Sequence, residues 1–93
     1  MARHAVELSS RALADLSAVS PDAAARILTK LRELEANPFP RGAAVKRLQG
    51  LETPTYRLRI GDYRGVYRIH GTVVVVLRII HRRELERALR DLV

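Results

Sequence analysis

The chain has 93 residues, with 17 Lys and Arg against 10 Asp and Glu (a formal net charge of +7), and it is 47% apolar but only 4% aromatic. Such a length suits one domain over residues 1–93, and the apolar share excludes a disordered polyelectrolyte. There is no cysteine, the three histidines (His4, His70, His81) are scattered, and no apolar run reaches the ~18 residues of a membrane span; this excludes disulfide and thiolate chemistry, offers no metal-ligand spacing, and leads us to expect a cytoplasmic protein with no membrane contact, metal or cofactor.

Residues 4–8 alternate as a short first strand, with Ala5-Val6 and Leu8. Ser9 or Ser10 can cap a helix over 10–18, because a serine oxygen accepts a free N–H of the first turn. Leu13 and Leu16 mark the apolar side of that helix. Ser20-Pro21-Asp22 then starts a second helix: serine caps, proline occupies a first-turn position that needs no N–H, and aspartate meets the positive end of the dipole. Ala24, Ile27, Leu28, Leu31 and Leu34 follow at helical spacing, so this helix is expected over 21–36 and ends at Asn37-Pro38. The two helices form an antiparallel hairpin.

Residues 37–54 contain Pro38, Pro40, Gly42, Gly50 and Pro54 and read as an irregular connection carrying Arg41, Lys46 and Arg47. Three strands follow at 55–60, 63–69 and 72–80. Gly61-Asp62 is a two-residue hairpin turn in which glycine supplies a positive φ. Val73 to Leu77 is apolar without alternation, which predicts a central strand covered on both faces. Arg82 to Leu92 can form a short terminal helix with Leu85, Leu89 and Leu92 inward. The expected fold class is α+β: a strand, a helical hairpin, a three-strand antiparallel meander and a short C-terminal helix, the helices packing on an antiparallel sheet.

The positive charge is localised. Residues 1–40 hold five basic and five acidic side chains, residues 41–83 hold ten and two, and residues 84–93 hold two and three. Taking Gly61-Asp62 as the turn pairs Ile60 with Tyr63, Leu58 with Gly65 and Tyr56 with Tyr67. Side chains alternate across a strand, so Tyr56, Leu58, Ile60, Tyr63 and Tyr67 share the face expected under the helices. Arg57, Arg59, Arg64, Val66 and Arg68 share the other. Arg59 then lies directly across from Arg64, a like-charge pairing that costs a sheet up to about 1 kcal/mol. An anion would complete such a cluster, and RNA or DNA is the first polyanion to consider. The scarcity of aromatic rings argues against a reader of stacked single-stranded bases. His81-Arg82-Arg83 emerges at the end of the apolar strand. A neutral imidazole beside an anion site can act as general base or acid, which makes His81 a candidate. His4 and His70 read as surface or turn residues.

The run from Tyr56 through Ile60, Gly61-Asp62 and Tyr63-Arg64-Gly65-Val66-Tyr67 closely resembles the RelE branch of the RelE/ParE toxin superfamily. So do the valine strand, the His81-Arg82-Arg83-Glu84 run, and the Lys46-Arg47-Leu48-Gln49-Gly50-Leu51 stretch that precedes them. The resemblance covers nearly the whole chain and implies a RelE-like fold. It further implies an endoribonuclease toxin of a type II toxin–antitoxin pair, which enters the ribosomal A site and cuts mRNA there. In that family the ribose 2′-OH attacks the adjacent phosphate without a metal ion, leaving a 2′,3′-cyclic phosphate and a 5′-OH. Carried over by position, Arg57 and Arg59 are the basic pair of the second strand (55–60), Arg64 is the arginine of the third, and Arg83 follows the fourth. Lys46, Arg47, Arg68 and Arg82 are implied nucleic-acid contacts. Two departures set the chain apart from the best-known members: arginines stand at 57 and 59 where those have lysines, and Glu86 stands where many carry tyrosine. Arginine stays charged and is a poor base, so His81 and Glu86 become the candidates for proton transfer. The implied partners are a cognate antitoxin, mRNA and the ribosome. The alternatives are a ParE-like toxin that inhibits DNA gyrase without cutting RNA, and a module that only binds RNA.

Overall fold

A computed structural model describes residues 3–92; residues 1, 2 and 93, the ends of the expected domain, lie outside the described residues. In chain order the elements are β1 (Ala5–Leu8), α1 (Ser10–Ser17), α2 (Pro21–Arg32), β2 (Val45–Arg47), β3 (Tyr56–Ile60), β4 (Tyr63–His70), β5 (Val73–His81) and α3 (Leu85–Arg90). Single 3-10 turns at Glu33–Glu35 and Arg82–Glu84 follow α2 and precede α3. Both expected caps form. Ser9 accepts from the Ala12 N–H and Ser20 from the Ala23 N–H, with Pro21 opening α2. The second helix is shorter than expected, because its last turn tightens to 3-10 form at Glu33.

The five strands make one sheet in the order β1-β5-β4-β3-β2. Two features differ from the sequence expectation. First, the sheet is mixed, not antiparallel throughout: β1 runs parallel to β5, from Ala5 opposite Val73 to Leu8 opposite Val76. The helical hairpin carries the chain from β1 to the far edge of the sheet, and β2, β3 and β4 bring it back to β5, which supplies the long connection that a parallel pairing needs. Second, the connection 37–54 is not wholly irregular. Val45–Arg47 adds as an edge strand to β3, with Val45 fully buried opposite Leu58. Three residues with a single apolar member show no period of their own; the free edge of β3 supplies the partner, and the Arg59 N–H donates to Ala44 O at 2.8 Å.

The β3–β4 register is the expected one, from Tyr56 opposite Tyr67 to Ile60 opposite Tyr63, and Gly61 has φ +57°. One face of the sheet meets α1 and α2. Ala12, Ile27, Leu31, Leu34, Leu58 and Tyr67 lie at the centre of that core, and the Tyr67 hydroxyl donates to Pro38 O at 2.7 Å. Gly65 lets Leu31 approach: a Cβ there would lie 3.2 Å from Leu31 Cδ2. Leu16 packs as expected, but Leu13 is 55% exposed and Leu28 42%; Ala12 takes the innermost position of α1, and Ile27 and Leu31 those of α2.

On the opposite face α3 packs Leu85, Ala88, Leu89 and Leu92 against Val66, Ile80 and Leu48. The β5 strand is central, but its cover is uneven: Val74 and Val76 are buried on the helical-hairpin side, whereas Val73 and Val75 are only half-buried. A bulge interrupts β5, since Tyr67 pairs with Val76 and Val66 with Arg78, leaving Leu77 as an extra residue. Among the described residues no helix is long and apolar enough to cross a membrane.

Candidate nucleic-acid interface

The arginines of β3 and β4 stand where alternation places them, on the sheet face opposite the helical hairpin. Two cross-strand rows result. One runs Lys46, Arg57, Val66, Arg78 and the other Arg59, Arg64, Ile80. The α3 helix covers Val66 and Ile80, the apolar members of these rows, and so walls one side of the basic surface.

Backbone carbonyls aim the guanidinium groups. Arg64 Nη1 donates to both Gly61 O and Tyr63 O at 2.8 Å, so the hairpin turn grips it. Arg57 Nη1 donates to Ala43 O at 3.1 Å. These bonds leave the other guanidinium N–H groups free and restrict where they point. Arg64 is held below the ordinary arginine range, first by its burial and then by Arg57, Arg59 and Arg82, with Asp62 opposing. Four cations therefore feel one another, although each stays charged at neutral pH. Arg82 joins through its N–H to Asp62 O at 2.8 Å and a looser Nε to Asp62 Oδ1 contact of 3.6 Å. Among the described residues, no carboxylate lies within ion-pair distance of Arg57, Arg59 or Arg64.

The remaining candidates fall into separate groups. Lys46 continues the Arg57 row on β2, while Arg47, opposite Tyr56, points to the other face. Arg68 stands apart from the cluster and donates from Nε to the buried Thr55 Oγ1 at 3.1 Å. His81 pairs with Tyr63, so its side chain leaves the sheet on the face opposite Arg64 and packs edge-on to the Tyr63 ring, with centroids 5.9 Å apart. It is not enclosed by the arginines. Its Nδ1 accepts the Arg83 N–H at 3.2 Å, capping the 3-10 turn. That lone pair is engaged, so the neutral ring carries its proton on Nε2. Arg83 and Glu86 are exposed, the latter in the first turn of α3. Of the two histidines read as surface residues, His70 is exposed at the end of β4, whereas His4 is half-buried and packs edge-on to Phe39.

Two contributions escaped the sequence. The carbonyls of Gly61, Tyr63 and Ala43 hold the cluster, and backbone groups leave no residue signature. Arg78, one of the ten cations of the basic block, is not available to a ligand. Asp15 binds it bidentately at 2.8 and 3.1 Å, and that hydrogen bond raises its pKa against the cost of burial. A lone aspartate in an amphipathic helix gives no hint of so distant a partner.

The α+β fold, with its five-stranded mixed sheet, matches the fold of RelE-like proteins. A sequence model described as the ParE toxin of type II toxin–antitoxin systems, parDE, matches residues 6–86, from β1 into α3. The chain belongs to this family and is a type II toxin of the RelE/ParE superfamily. A curated relative from Methanocaldococcus jannaschii, named as a toxin RelE1, is 33% identical over 81 residues, which is 85% of this chain and 89% of that protein. The RelE of the Pyrococcus horikoshii RelE–RelB complex superposes with a TM-score of 0.71 at 28% identity, covering 88% of this chain and 97% of its own. The RelBE2 toxin–antitoxin complex of Mycobacterium tuberculosis gives a TM-score of 0.75 at 30% identity, with 86% and 99% covered.

Proposed function

We propose that this toxin is an endoribonuclease that acts in the cytoplasm and cuts mRNA in the ribosomal A site. The observation that carries the reading is the set Arg57, Arg59 and Arg64, which shares one sheet face and lacks carboxylate partners among the described residues, with Arg57 and Arg64 aimed by backbone carbonyls. In the reaction a ribose 2′-OH attacks the adjacent phosphorus and the bond to the 5′-oxygen breaks. The products are a 2′,3′-cyclic phosphate and a 5′-OH. Negative charge grows on the phosphoryl oxygens in the transition state, and guanidinium groups already in place stabilise it without reorganising. The arginines do not remove the proton. His81 leaves the sheet on the face opposite Arg64 and packs on Tyr63, so Glu86 at the start of α3 is the group left for proton transfer, and Arg83 contributes charge beside it. Lys46 extends the contact along the Arg57 row and Arg82 extends it beyond the end of β5, with Arg68 at its margin, while Arg47 faces away from it.

The solved relatives are complexes with RelB proteins, which supports a cognate antitoxin for this chain. A segment rich in carboxylates would neutralise the basic face.

The deciding experiment is induction of the chain in growing cells, followed by mapping of mRNA 5′ ends on translated and untranslated copies of one transcript. Cuts confined to the translated copy at codon positions support the reading. Growth arrest with intact mRNA ends it. A second reading, inhibition of DNA gyrase by binding, draws on the parDE description of the matching family. A supercoiling assay separates the two, since inhibition of gyrase without RNA cleavage selects the second.

A further inference from the structure

Strand β1 ends at Leu8, opposite Val76, and α1 begins two residues later. The outer edge of β5 beyond Val76 therefore loses its strand partner. The chain entering α1 replaces it. The Ser9 N–H donates to Val76 O and the Ser9 hydroxyl to Leu77 O, both at 2.9 Å. One turn into the helix, Asp15 reaches the same edge. Its Oδ2 accepts the Ile79 N–H at 2.9 Å and Arg78 Nε at 2.8 Å, and its Oδ1 accepts Arg78 Nη2 at 3.1 Å. Both side chains are only 17% exposed.

These three bonds grip the strand immediately after the Leu77 bulge. A bulge reverses the phase of every later side chain on its strand. In a strand with no bulge at Leu77, residues 76, 78 and 80 would share one face. With it, Val76 and Ile79 face the helical hairpin, Ile80 turns under α3, and His81 returns against Tyr63. The arm His81-Arg82-Arg83 starts two residues beyond the last backbone group that Asp15 holds. Covering one free edge N–H needs a single acceptor. A carboxylate that also takes both ends of an arginine fork fixes the direction of the strand as well.

We propose that Asp15 is a positioning residue for the basic arm: acting through Arg78 and the Ile79 N–H, it locks the bulge and sets where β5 delivers His81, Arg82 and Arg83. The activity arm of the test rests on the nuclease reading, while the positional arm does not. The experiment compares the full chain with Asp15→Asn, which keeps size and loses charge, and Arg78→Met, which removes the fork and leaves the carboxylate. Circular dichroism melts establish folding. Imidazole and tyrosine NMR signals then report the His81–Tyr63 contact, and single-turnover cleavage of ribosome-bound mRNA is measured beside ribosome affinity.

The expected result is a cooperative melt for both variants with displaced His81 signals. The cleavage rate should fall about 10- to 100-fold, the usual loss when reacting groups move by about an ångström. Ribosome affinity, carried by Arg57, Arg59 and Arg64, should hold. Unchanged His81–Tyr63 contacts in a folded variant would overturn the proposal. So would equal losses in rate and affinity, or unfolding of both variants, which would make the clamp a requirement of the fold alone. If the wild-type chain cuts no RNA, the nuclease reading fails, and the His81 signals still decide the positional claim.

Discussion

Replacing Arg59 with glutamine should make this protein more stable and less toxic. Arg59 is exposed, has no carboxylate partner among the described residues, and lies directly opposite Arg64, with Arg57 two residues away on the same face. A directly opposed like-charge pair costs roughly 0.2–1 kcal/mol. Glutamine keeps most of the side chain and removes the repulsion, so the gain should be of that size. For a domain of this length, about 1 kcal/mol moves Tm by roughly 4–8 °C, so a rise of a few degrees is expected in low salt. Salt screens exposed charges, and at about 1 M the difference should largely vanish. Cleavage should meanwhile fall about 100-fold, the usual loss on removing one preorganised donor to developing charge. Opposite movements of stability and activity are the signature of a site that strains its scaffold. Melting the two proteins at low and high salt, beside a cleavage assay, tests this directly. A variant that is less stable in low salt, or whose Tm gain ignores salt, would refute the electrostatic argument.

Tyr67→Phe leaves the Pro38 carbonyl without its 2.7 Å donor in the core and should cost about 1–3 kcal/mol, read from urea unfolding. Burial pushes the Tyr67 hydroxyl well above the ordinary tyrosine range. A group whose folded pKa is raised stabilises fully below its unfolded value near 10 and loses that contribution as pH climbs above it. Alkaline titration at 295 nm, compared between the wild-type chain and Tyr67→Phe, should therefore show Tyr67 ionising only on unfolding; a Tyr67 contribution before the unfolding transition would contradict the burial. Leu31→Ala should cost about 2–5 kcal/mol, because Leu31 is fully buried between α2 and Gly65. Gly65→Ala should be destabilising by its 3.2 Å contact with Leu31 and nearly neutral in the Leu31→Ala background, which a double-mutant cycle measures.

Much of the arrangement was readable from local rules. Gly61-Asp62 permits one tight turn, a tight turn sets one register, and a register with period two divides the side chains of β3 and β4 between faces. The opposition of Arg59 and Arg64 follows from those three steps and is present in the fold. Both helix starts were legible because a serine oxygen and a first-turn N–H lie within one turn of chain. The short β2 strand was not, since it pairs along the free edge of β3, reached across the loop from Pro38 to Ala44.

The amino-acid sequence alone determined the hairpin, its arginine face and the two capped helices, because each depends on residues a few positions apart. Tertiary structure decided the rest. The parallel pairing of β1 with β5 depends on where the helical hairpin returns the chain, and the side on which α3 walls the arginines depends on the apolar patch of Val66, Ile80 and Leu48. The orientation of His81 is the clearest case. Val73 to Ile80 is apolar at every position but Arg78, so the run carries no alternation from which a phase could be read. The phase is set by the Leu77 bulge, held by an aspartate more than 60 residues earlier in the chain.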